Sequence, residues 1–292
     1  MKLPPLAYAR AASVAEAVAL LKEGDGEARI IAGGQSLLPV LAFRLAAPAL
    51  LVDIGGIDEL KAVEIGPDFV TLGALVRWRD IERDTRLAAA LPLLPAAIAH
   101  VAHYQIRNRG TVGGSLAHCD PAAEMPGLAV ACDAQIVLEG PDGRRVARAD
   151  EVLVAALSAE IAPDEMIVAV RFPAWPQGRR WAFQEYARRR GDFALAGIAL
   201  HYDLDADGAV RDAHVGVIGA ADRPMRLAPA EAALEGRRMD PSVIRAAAEA
   251  AQEAVEPPDD IHASADYRRA LVGVLVERAL CAAEGLAPCG IE

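Results

Sequence analysis

The chain has 292 residues, of which 53% are hydrophobic and 4% aromatic, and its formal net charge is −11. This length predicts two domains with ample apolar material for their cores. An acidic chain without a long basic run repels polyanions, so nucleic acid is excluded as an expected partner. The sequence has neither a signal-peptide pattern nor an apolar run of membrane-spanning length, so we expect a cytoplasmic protein without a membrane span.

The first half of the sequence predicts a mixture of short strands and helices. A helix is expected at 13–22, where apolar residues recur at helical spacing behind a Ser-x-x-Glu capping box. Short apolar runs that end at Gly, Pro or Asp predict buried strands, and a Gly-Pro-Asp turn predicts a hairpin. The expected strands are 28–32, 49–53, 63–65, 70–72, 135–138 and 166–172, and further helical segments are expected within 34–45, 95–101 and 124–131.

The pattern of predicted elements changes near residue 177, and this change predicts a domain boundary. Trp175-Pro-Gln-Gly178 is punctuated by Pro and Gly, as linkers are. We therefore predict domains at 1–177 and 178–292, the first divided into two α/β subdomains near residue 55. The second domain is expected to be α+β, with strands at 196–204 and 210–218 joined by an Asp-Ala-Asp-Gly turn, and with helices at 228–235, 241–254 and 264–284.

Two segments share one pattern, Ala32-Gly-Gly-Gln-Ser36 and Thr111-Val-Gly-Gly-Ser115. Glycine lets the backbone bend sharply and approach a ligand closely. Successive N–H groups in such a turn can hold an anion. The alternative is that each Gly-Gly pair is an ordinary turn. Because the pattern occurs twice, we predict that the two loops clamp a pyrophosphate, although neither matches a Rossmann fingerprint or a P-loop.

The segment His118-Cys119-Asp120 carries groups that could suit a metal or a nucleophile, but we expect neither. Three consecutive residues do not converge easily on one ion, and in an extended segment the adjacent Cys and His side chains point apart. Asp120 and Glu124 are expected to form hydrogen bonds, either to a helix start or to hydroxyls of a ligand. The cysteines lack the CxxC spacing of metal sites and are interpreted as small core residues; they are Cys119, Cys132, Cys281 and Cys289.

The basic triplet Arg188-Arg189-Arg190 stands out in an acidic chain, and Gly191-Asp192 and Phe193 follow it. It can be a solvated loop. It can also be a loop over an anionic or electron-rich ligand, or a contact with a partner subunit, because arginine suits both roles.

Three segments together resemble one family. AGGQSLLPVL, IRNRGTVGGSLAHCDPAAEMP and ARRRGDFALAG, in this order and spacing, look like the FAD-binding medium subunit of the molybdenum hydroxylases, the relatives of xanthine dehydrogenase and carbon monoxide dehydrogenase. The resemblance covers essentially the whole chain. It implies an α+β fold: an FAD-binding domain of the vanillyl-alcohol-oxidase (PCMH) type, followed by a smaller α+β domain of the CO dehydrogenase flavoprotein type.

The resemblance also implies a division of labour between subunits. A large subunit carries the molybdopterin cofactor, and a small subunit carries two [2Fe-2S] clusters. The medium subunit receives electrons on FAD and passes them to an external acceptor, which can be a quinone, NAD or another carrier. Such subunits usually assemble as dimers of heterotrimers. The chain is thus expected to be an oxidoreductase subunit without a metal site or catalytic residues of its own.

The same resemblance implies which residues contact FAD. The first loop is expected to wrap the pyrophosphate, and the second motif is expected to form a second loop that contacts the flavin cofactor. Asp192-Phe193 is expected to belong to a mobile loop beside the isoalloxazine ring. The implied contacts are Ile31, Ala32, Gly33, Gly34, Gln35, Ser36, Leu37, Ala102, Thr111, Gly113, Gly114, Ser115, His118, Ala123, Glu124, Ile161, Asp192 and Phe193. Where eukaryotic xanthine dehydrogenases carry a lysine, this chain has Gln184-Glu185-Tyr186, which makes it more similar to bacterial members that use quinones or other carriers.

Two other functions are compatible with the same motifs. The chain could be a self-sufficient flavin oxidase or reductase on this fold, which would need a substrate domain with catalytic groups; the groups available are His201, Tyr202 and His214. It could also be an assembly module with degenerate flavin loops, an alternative that the intact glycines disfavour.

Overall fold

The amino-terminal part of the chain forms a small parallel sheet, as seen in the computed structural model, which describes residues 3–286. The strand order is β1–β3–β2, and both pairs run parallel. The strands are Ala7–Arg10 (β1), Ala28–Ile31 (β2) and Leu50–Asp53 (β3), and the helices are Val14–Glu23 (α1) and Leu37–Ala42 (α2). Because the strands are parallel, the glycine segments that follow β2 and β3 emerge at the same edge of the sheet.

The following part of the chain forms a five-stranded antiparallel sheet covered by helices. Its strand order is β4–β5–β10–β6–β7, and two short strands, β8 and β9, pair separately. The strands are Val63–Ile65 (β4), Phe69–Gly73 (β5), Gln135–Gly140 (β6), Gly143–Arg148 (β7), Leu153–Ala155 (β8), Ser158–Ala159 (β9) and Met166–Pro173 (β10). The helices are Trp78–Arg83 (α3), Thr85–Ala90 (α4), Leu93–Ile98 (α5), Tyr104–Arg107 (α6), Val112–His118 (α7), Glu124–Ala131 (α8) and Ala149–Val152 (α9).

One hydrophobic core joins this sheet to its helices. Leu72 of β5, Phe172 of β10 and Leu116 of α7 are fully buried in it. Burial of aliphatic and aromatic side chains of this size stabilises the fold by about 1.5–3 kcal/mol each. The core therefore fixes the position of α7, which carries the second Gly-Gly motif.

The carboxyl-terminal part is a four-stranded antiparallel sheet with three helices. The strand order follows the chain, from β11 to β14. The elements are Arg180–Tyr186 (β11), Ala196–Leu204 (β12), Val210–Ile218 (β13), Met225–Arg226 (β14), Ala228–Leu234 (α10), Pro241–Glu253 (α11) and Ala265–Ala283 (α12). A second hydrophobic core joins these helices to the sheet.

Helix α8 packs tightly against the carboxyl-terminal sheet. A Cβ on Gly127 would lie 2.3 Å from Cγ1 of Ile218, and one on Gly216 would lie 2.5 Å from Cβ of Ala131. Glycine at both positions lets the helix approach the strand closely. This contact explains why β12 and β13 are buried along most of their length.

The predicted α+β fold is confirmed, and so are the strands and helices that were expected from apolar runs and periodicity. The helix expected at 95–101 begins earlier, at Leu93, and ends at Ile98. Strands β1, β7, β8, β9, β11 and β14 were not predicted, because they are short or expose polar or charged side chains. The short helices α3, α4, α6 and α9 were not predicted either. No helix within residues 3–286 is long and apolar enough to cross a membrane. The domain boundary at residue 177 stays a prediction. Residues 287–292, among them Cys289, lie outside the described part of the chain.

Candidate functional site

The first Gly-Gly loop leaves strand β2 and packs directly against the segment before the second motif. A Cβ on Gly33 would lie 2.1 Å from the carbonyl oxygen of Arg109, which is too close for any side chain at this position. Gly34 has a φ of 71°, in the left-handed region that favours glycine. The first Gly-Gly loop is therefore in contact with the residues immediately before the second motif, and glycine is what permits this contact.

The first loop presents free backbone donors. Its carbonyl groups are engaged: Gly33 accepts a 2.9 Å hydrogen bond from Nε2 of Gln35, and Gly34 accepts one of 3.2 Å from the N–H of Leu38. Within the described part of the chain, the N–H groups of residues 33–36 donate to no protein acceptor. Unpaired N–H groups that point from a turn form a favourable site for an anion.

The second motif is helical, whereas the sequence suggested an extended loop. Thr111 caps the amino terminus of α7, since its Oγ1 accepts a 3.2 Å hydrogen bond from the N–H of Gly114. Two glycines lower helix propensity, which made a loop the simpler expectation. The helix forms because its apolar side chains are buried in the core.

The backbone donors at the start of α7 are already used. The N–H of Val112 donates to the carbonyl of Val76 at 3.0 Å, and that of Gly113 donates to the carbonyl of Ala74 at 2.9 Å. Gly113 also packs against Ala74, where a Cβ would lie 2.6 Å from that residue's Cβ. What α7 offers to a ligand is therefore its exposed surface, at Gly114 and the partly exposed Ser115. Of the two motifs, only the first presents a row of free N–H groups.

A cleft opens beside the contact between the first Gly-Gly loop and Arg109. Three cationic side chains line it, together with small and hydroxyl-bearing residues. The lining residues are Ala32, Gly33, Gly55, Lys61, Leu75, Arg77, Arg109 and Thr111. Arginine and lysine beside free N–H groups form the donor set that phosphate groups require. Sequence reasoning missed the three cations, because they come from separate elements; only Arg109 had a signal, its position immediately before the motif.

A second cluster of predicted residues forms around Ala102. Ala102 has a φ of 40°, and its carbonyl accepts a 3.0 Å hydrogen bond from Nη1 of Arg107. A Cβ on Gly191 would lie 2.5 Å from the His103 ring and 2.8 Å from the carbonyl oxygen of Ala102. The basic loop, residues 188–193, therefore packs against Ala102, and Phe193 at its end is 69% exposed. An exposed aromatic ring beside a strained backbone turn can contact a flat ligand.

The predicted residues after α7 lie at its carboxyl end and at the start of α8. His118 occupies the last turn of α7, and Ala123 is the N-cap of α8. Asp120 accepts a 2.9 Å hydrogen bond from the N–H of Ala122, so it stabilises the turn between the helices. Glu124 is 8% exposed, and burial raises its pKa to about 7. Ile161 follows β9 and packs against the main core rather than joining either cluster directly.

The groups considered for other chemistry serve structural roles. Sγ of Cys119 donates to the carbonyl of Ala155 at 3.3 Å, and burial raises the pKa of its thiol, which disfavours a nucleophilic thiolate. His201 stacks on His214, and both rings contact the carbonyl of Ala131 at the end of α8. Burial keeps the pKa of His201 well below its usual range. Within residues 3–286, no group of three or more His, Cys, Asp or Glu side chains could hold a metal ion.

Two family models match nearly the whole chain. Residues 4–175 match the FAD binding domain in molybdopterin dehydrogenase, and residues 181–283 match the CO dehydrogenase flavoprotein C-terminal domain. The fold and the two matches define the class of protein: a two-domain FAD-binding flavoprotein.

Relatives of known role are similar over their full length. The medium subunit of nicotine 6-hydroxylase from Paenarthrobacter nicotinovorans is 41% identical, with 96% of this chain and 98% of the relative covered. The medium chain of carbon monoxide dehydrogenase from Hydrogenophaga pseudoflava is 37% identical, with 96% and 97% covered. Among solved structures, carbon monoxide dehydrogenase from Hydrogenophaga pseudoflava has a TM-score of 0.94 at 38% identity, covering 98% of this chain and 99% of that one. Quinoline 2-oxidoreductase from Pseudomonas putida 86 has a TM-score of 0.92, also at 38% identity, with the same shares covered.

The chain belongs to the family of FAD-binding medium subunits of molybdenum hydroxylases, as the resemblance predicted. The cofactor of this family is FAD, and its members are subunits of oxidoreductases. The site fits a dinucleotide on its own chemistry. The contact between Gly33 and Arg109 leaves no room for a side chain, free N–H groups lie beside it, and three cations face the cleft.

Proposed function

We propose that the chain carries FAD between the first Gly-Gly loop and α7, receives electrons from the [2Fe-2S] clusters of a small partner subunit, and passes them to an external acceptor. The observation that supports this most strongly is the close contact of Gly33 with Arg109, just before the second motif, with free N–H donors in the first loop and a basic cleft beside it. FAD supplies the redox chemistry when bound, and the protein supplies its position and electrostatic environment.

In this proposal each cluster of residues has a distinct task. The N–H groups of the first loop, with Lys61, Arg77 and Arg109, hold the pyrophosphate. The exposed face of α7 supports the middle of the cofactor, since its seven residues span roughly 10 Å. Ala102 and the exposed Phe193 flank the isoalloxazine ring. The proposed contacts remain those implied by the family resemblance, with the three cations added.

The proposed partners follow from the names of the relatives. A medium subunit has smaller and larger companions, so we infer a [2Fe-2S] small subunit and a molybdopterin-containing large subunit, assembled as a dimer of heterotrimers. The basic loop at 188–193 lies on the surface beside the proposed ring position. Gln184 and Glu185 replace the lysine segment of eukaryotic xanthine dehydrogenases, which favours a quinone or another carrier over NAD as the acceptor.

Electron transfer from the small subunit is tested by mixing the two proteins without oxygen. The small subunit is first reduced with dithionite, freed of excess reductant, and mixed with the FAD-loaded chain. We expect the oxidised-flavin absorbance to fall as the clusters reoxidise, and a quinone added afterwards to restore it. A flavin that stays oxidised in the presence of reduced clusters contradicts the proposed order of electron transfer.

The self-sufficient alternative is tested with the same preparation. The FAD-loaded chain alone is expected not to reduce its flavin with nicotine, quinoline or an aldehyde, because His201 and His214 face α8 rather than the flavin cleft. Reduction of the flavin by one of these compounds, without any partner subunit, would favour the alternative.

A further inference from the structure

Two carboxyl groups, one of them the proposed FAD contact Glu124, lie close enough in a buried position to influence one another. Glu124 begins α8, and Glu185 lies in β11 opposite Gly197 of β12. Glu124 is 8% exposed and the side chain of Glu185 only 4% exposed. Glutamate is almost never buried to this degree unless a cation or several hydrogen bonds compensate its charge.

The carboxyl of Glu185 lacks full compensation, whereas that of Glu124 interacts with its own backbone N–H. Within residues 3–286, Oε2 of Glu185 has no hydrogen-bond partner, and its Oε1 lies 3.8 Å from Nδ1 of His100. Burial and the positive charge of Arg190 lower the pKa of His100, so its ring is neutral at pH 7 and the contact is not an ion pair. The negative charge of Glu124 contributes to raising the pKa of Glu185, and that of Asp120 contributes to raising the pKa of Glu124.

The charged and titratable groups around the pair thus favour a bound proton. They are Asp120, Glu124, Glu185, His100 and Arg190, of which the only cation acts on the histidine. Burial, followed by the charge of Glu124, raises the pKa of Glu185 to about 8. Burial raises the pKa of Glu124 to about 7, against the opposing effect of its own backbone N–H. Two such carboxyls titrate as a unit, and near pH 7 the unit holds a proton.

The pair lies beside the position that the proposed function gives to the flavin ring. Strand β11 leads directly into the basic loop, and Gly191 of that loop packs on Ala102 and His103. Helix α8 follows the carboxyl end of α7 after a turn of a few residues. A charge on the pair and a charge on the ring therefore act on one another, because the two are close and the carboxyl side chains of the pair are buried.

We propose that Glu124 and Glu185 form a proton-holding pair that takes up one proton when the flavin is reduced and returns it when the flavin is reoxidised. This inference rests on the proposed function for its link to the flavin, and on the buried cluster alone for the bound proton.

Electrons and protons are conserved over one cycle of reduction and reoxidation. Two reduced [2Fe-2S] clusters give up one electron each. Once these electrons and one proton from solvent have reached the flavin, the site has gained one net negative charge. The pair then binds a second proton from solvent, which neutralises that charge. Transfer to a quinone removes two electrons and two protons together, so the pair returns to its initial state.

The bound proton is tested on the chain without FAD. Between about pH 6 and 9 we expect an infrared band of a protonated carboxylic acid that disappears as the pH rises. Glu185→Gln should weaken or remove it, and Glu64→Gln, which changes an exposed carboxyl in β4, should leave it unchanged. No such band in the wild-type chain would overturn the proposal, whether or not the chain binds FAD.

The stability of the chain without FAD gives a second test of the bound proton. A carboxyl whose folded-state pKa is raised binds more protons when folded, so its contribution to stability is present below about pH 4.5 and is lost as the pH rises through about 8. We expect Glu185→Gln to unfold at a higher temperature than the wild type near pH 9, with this advantage absent near pH 4.5. An identical pH dependence of the two chains counts against the raised proton affinity.

The link to the flavin is tested on the FAD-loaded chain. Spectroelectrochemical titration at several pH values gives the number of protons taken up per flavin. We expect about two for the wild type between pH 7 and 8, about one fewer for Glu185→Gln, and no change for Glu64→Gln. Equal proton numbers for the wild type and Glu185→Gln would overturn the coupling. Failure of every variant to hold FAD would instead overturn the proposed function and leave the infrared result standing.

Discussion

Replacement of Gly33 and Gly114 by valine in one chain abolishes FAD retention while the chain stays folded. At Gly33 a side chain would displace the carbonyl of Arg109, which is 2.1 Å from the position of a Cβ. That separates the first loop from the residues before the second motif and widens the cleft beside them. Overpacking of this kind costs about 1–3 kcal/mol of folding free energy, which a two-domain chain of this size tolerates.

The single variants separate the two causes of this loss. A side chain at Gly114 is exposed and meets only Oγ1 of Thr111, at 2.8 Å, so Gly114→Val should lower FAD affinity with a small change in stability. Gly33→Val should lower both affinity and stability. Equilibrium dialysis with FAD and thermal unfolding measure the two effects. Gly66→Val, in the turn between β4 and β5, is the matched control and should retain FAD. Normal flavin content in the double variant would contradict the assignment of both motifs.

Arg268→Met is expected to lower the free energy of unfolding by about 3 kcal/mol, because it leaves buried acceptors without a donor. Arg268 is 5% exposed, and its Nη1 donates to the carbonyls of Leu195 at 2.8 Å and Gly219 at 2.9 Å. Its Nη2 donates to Oδ2 of Asp260 at 2.6 Å. Leu195 lies two residues after the end of the basic loop, so Arg268 anchors the base of that loop.

The adjacent residue supplies a matched control. Arg269 pairs at 2.8 Å with Asp266, whose side chain is 95% exposed, and an exposed pair of this kind contributes at most about 1 kcal/mol. Urea unfolding should therefore show a larger loss in the free energy of unfolding for Arg268→Met than for Arg269→Met. Equal losses in Arg268→Met and Arg269→Met would show that the buried hydrogen bonds do not anchor the loop. We also expect Arg268→Met to weaken FAD binding, since the loop approaches Ala102.

Local sequence patterns predicted the long apolar strands and the longer helices, and missed several short or exposed elements. Strands such as β12 and β13 are apolar runs bounded by turn residues, and α12 begins at the capping residue Ser264. Strand β7, with the sequence GRRVAR, is exposed at the edge of its sheet and has no apolar alternation to reveal it. Helix α7 was missed because its glycines disfavour a helix locally, and tertiary packing reverses that preference.

The same distinction applies to the site. The Gly-Gly motifs and the basic loop are contiguous in sequence, so their shared pattern revealed them. The role of Lys61 and Arg77 depends on a cleft assembled from separate elements, which no local pattern encodes. Glu185 is a similar case: a glutamate in a short polar strand predicts an exposed side chain, and its burial follows only from the packing of α5, α8 and β11 around it.

The visible absorption spectrum of the purified chain, taken after incubation with FAD and desalting and repeated with FMN, tests the central claim most directly. We predict a retained oxidised-flavin spectrum with FAD and none with FMN, because the pyrophosphate held by the first Gly-Gly loop and the cationic cleft is present only in FAD. Retention of FMN as well would show that the ring rather than the pyrophosphate is recognised. Absence of flavin from both the isolated chain and a complex co-expressed with its partner subunits would contradict the account.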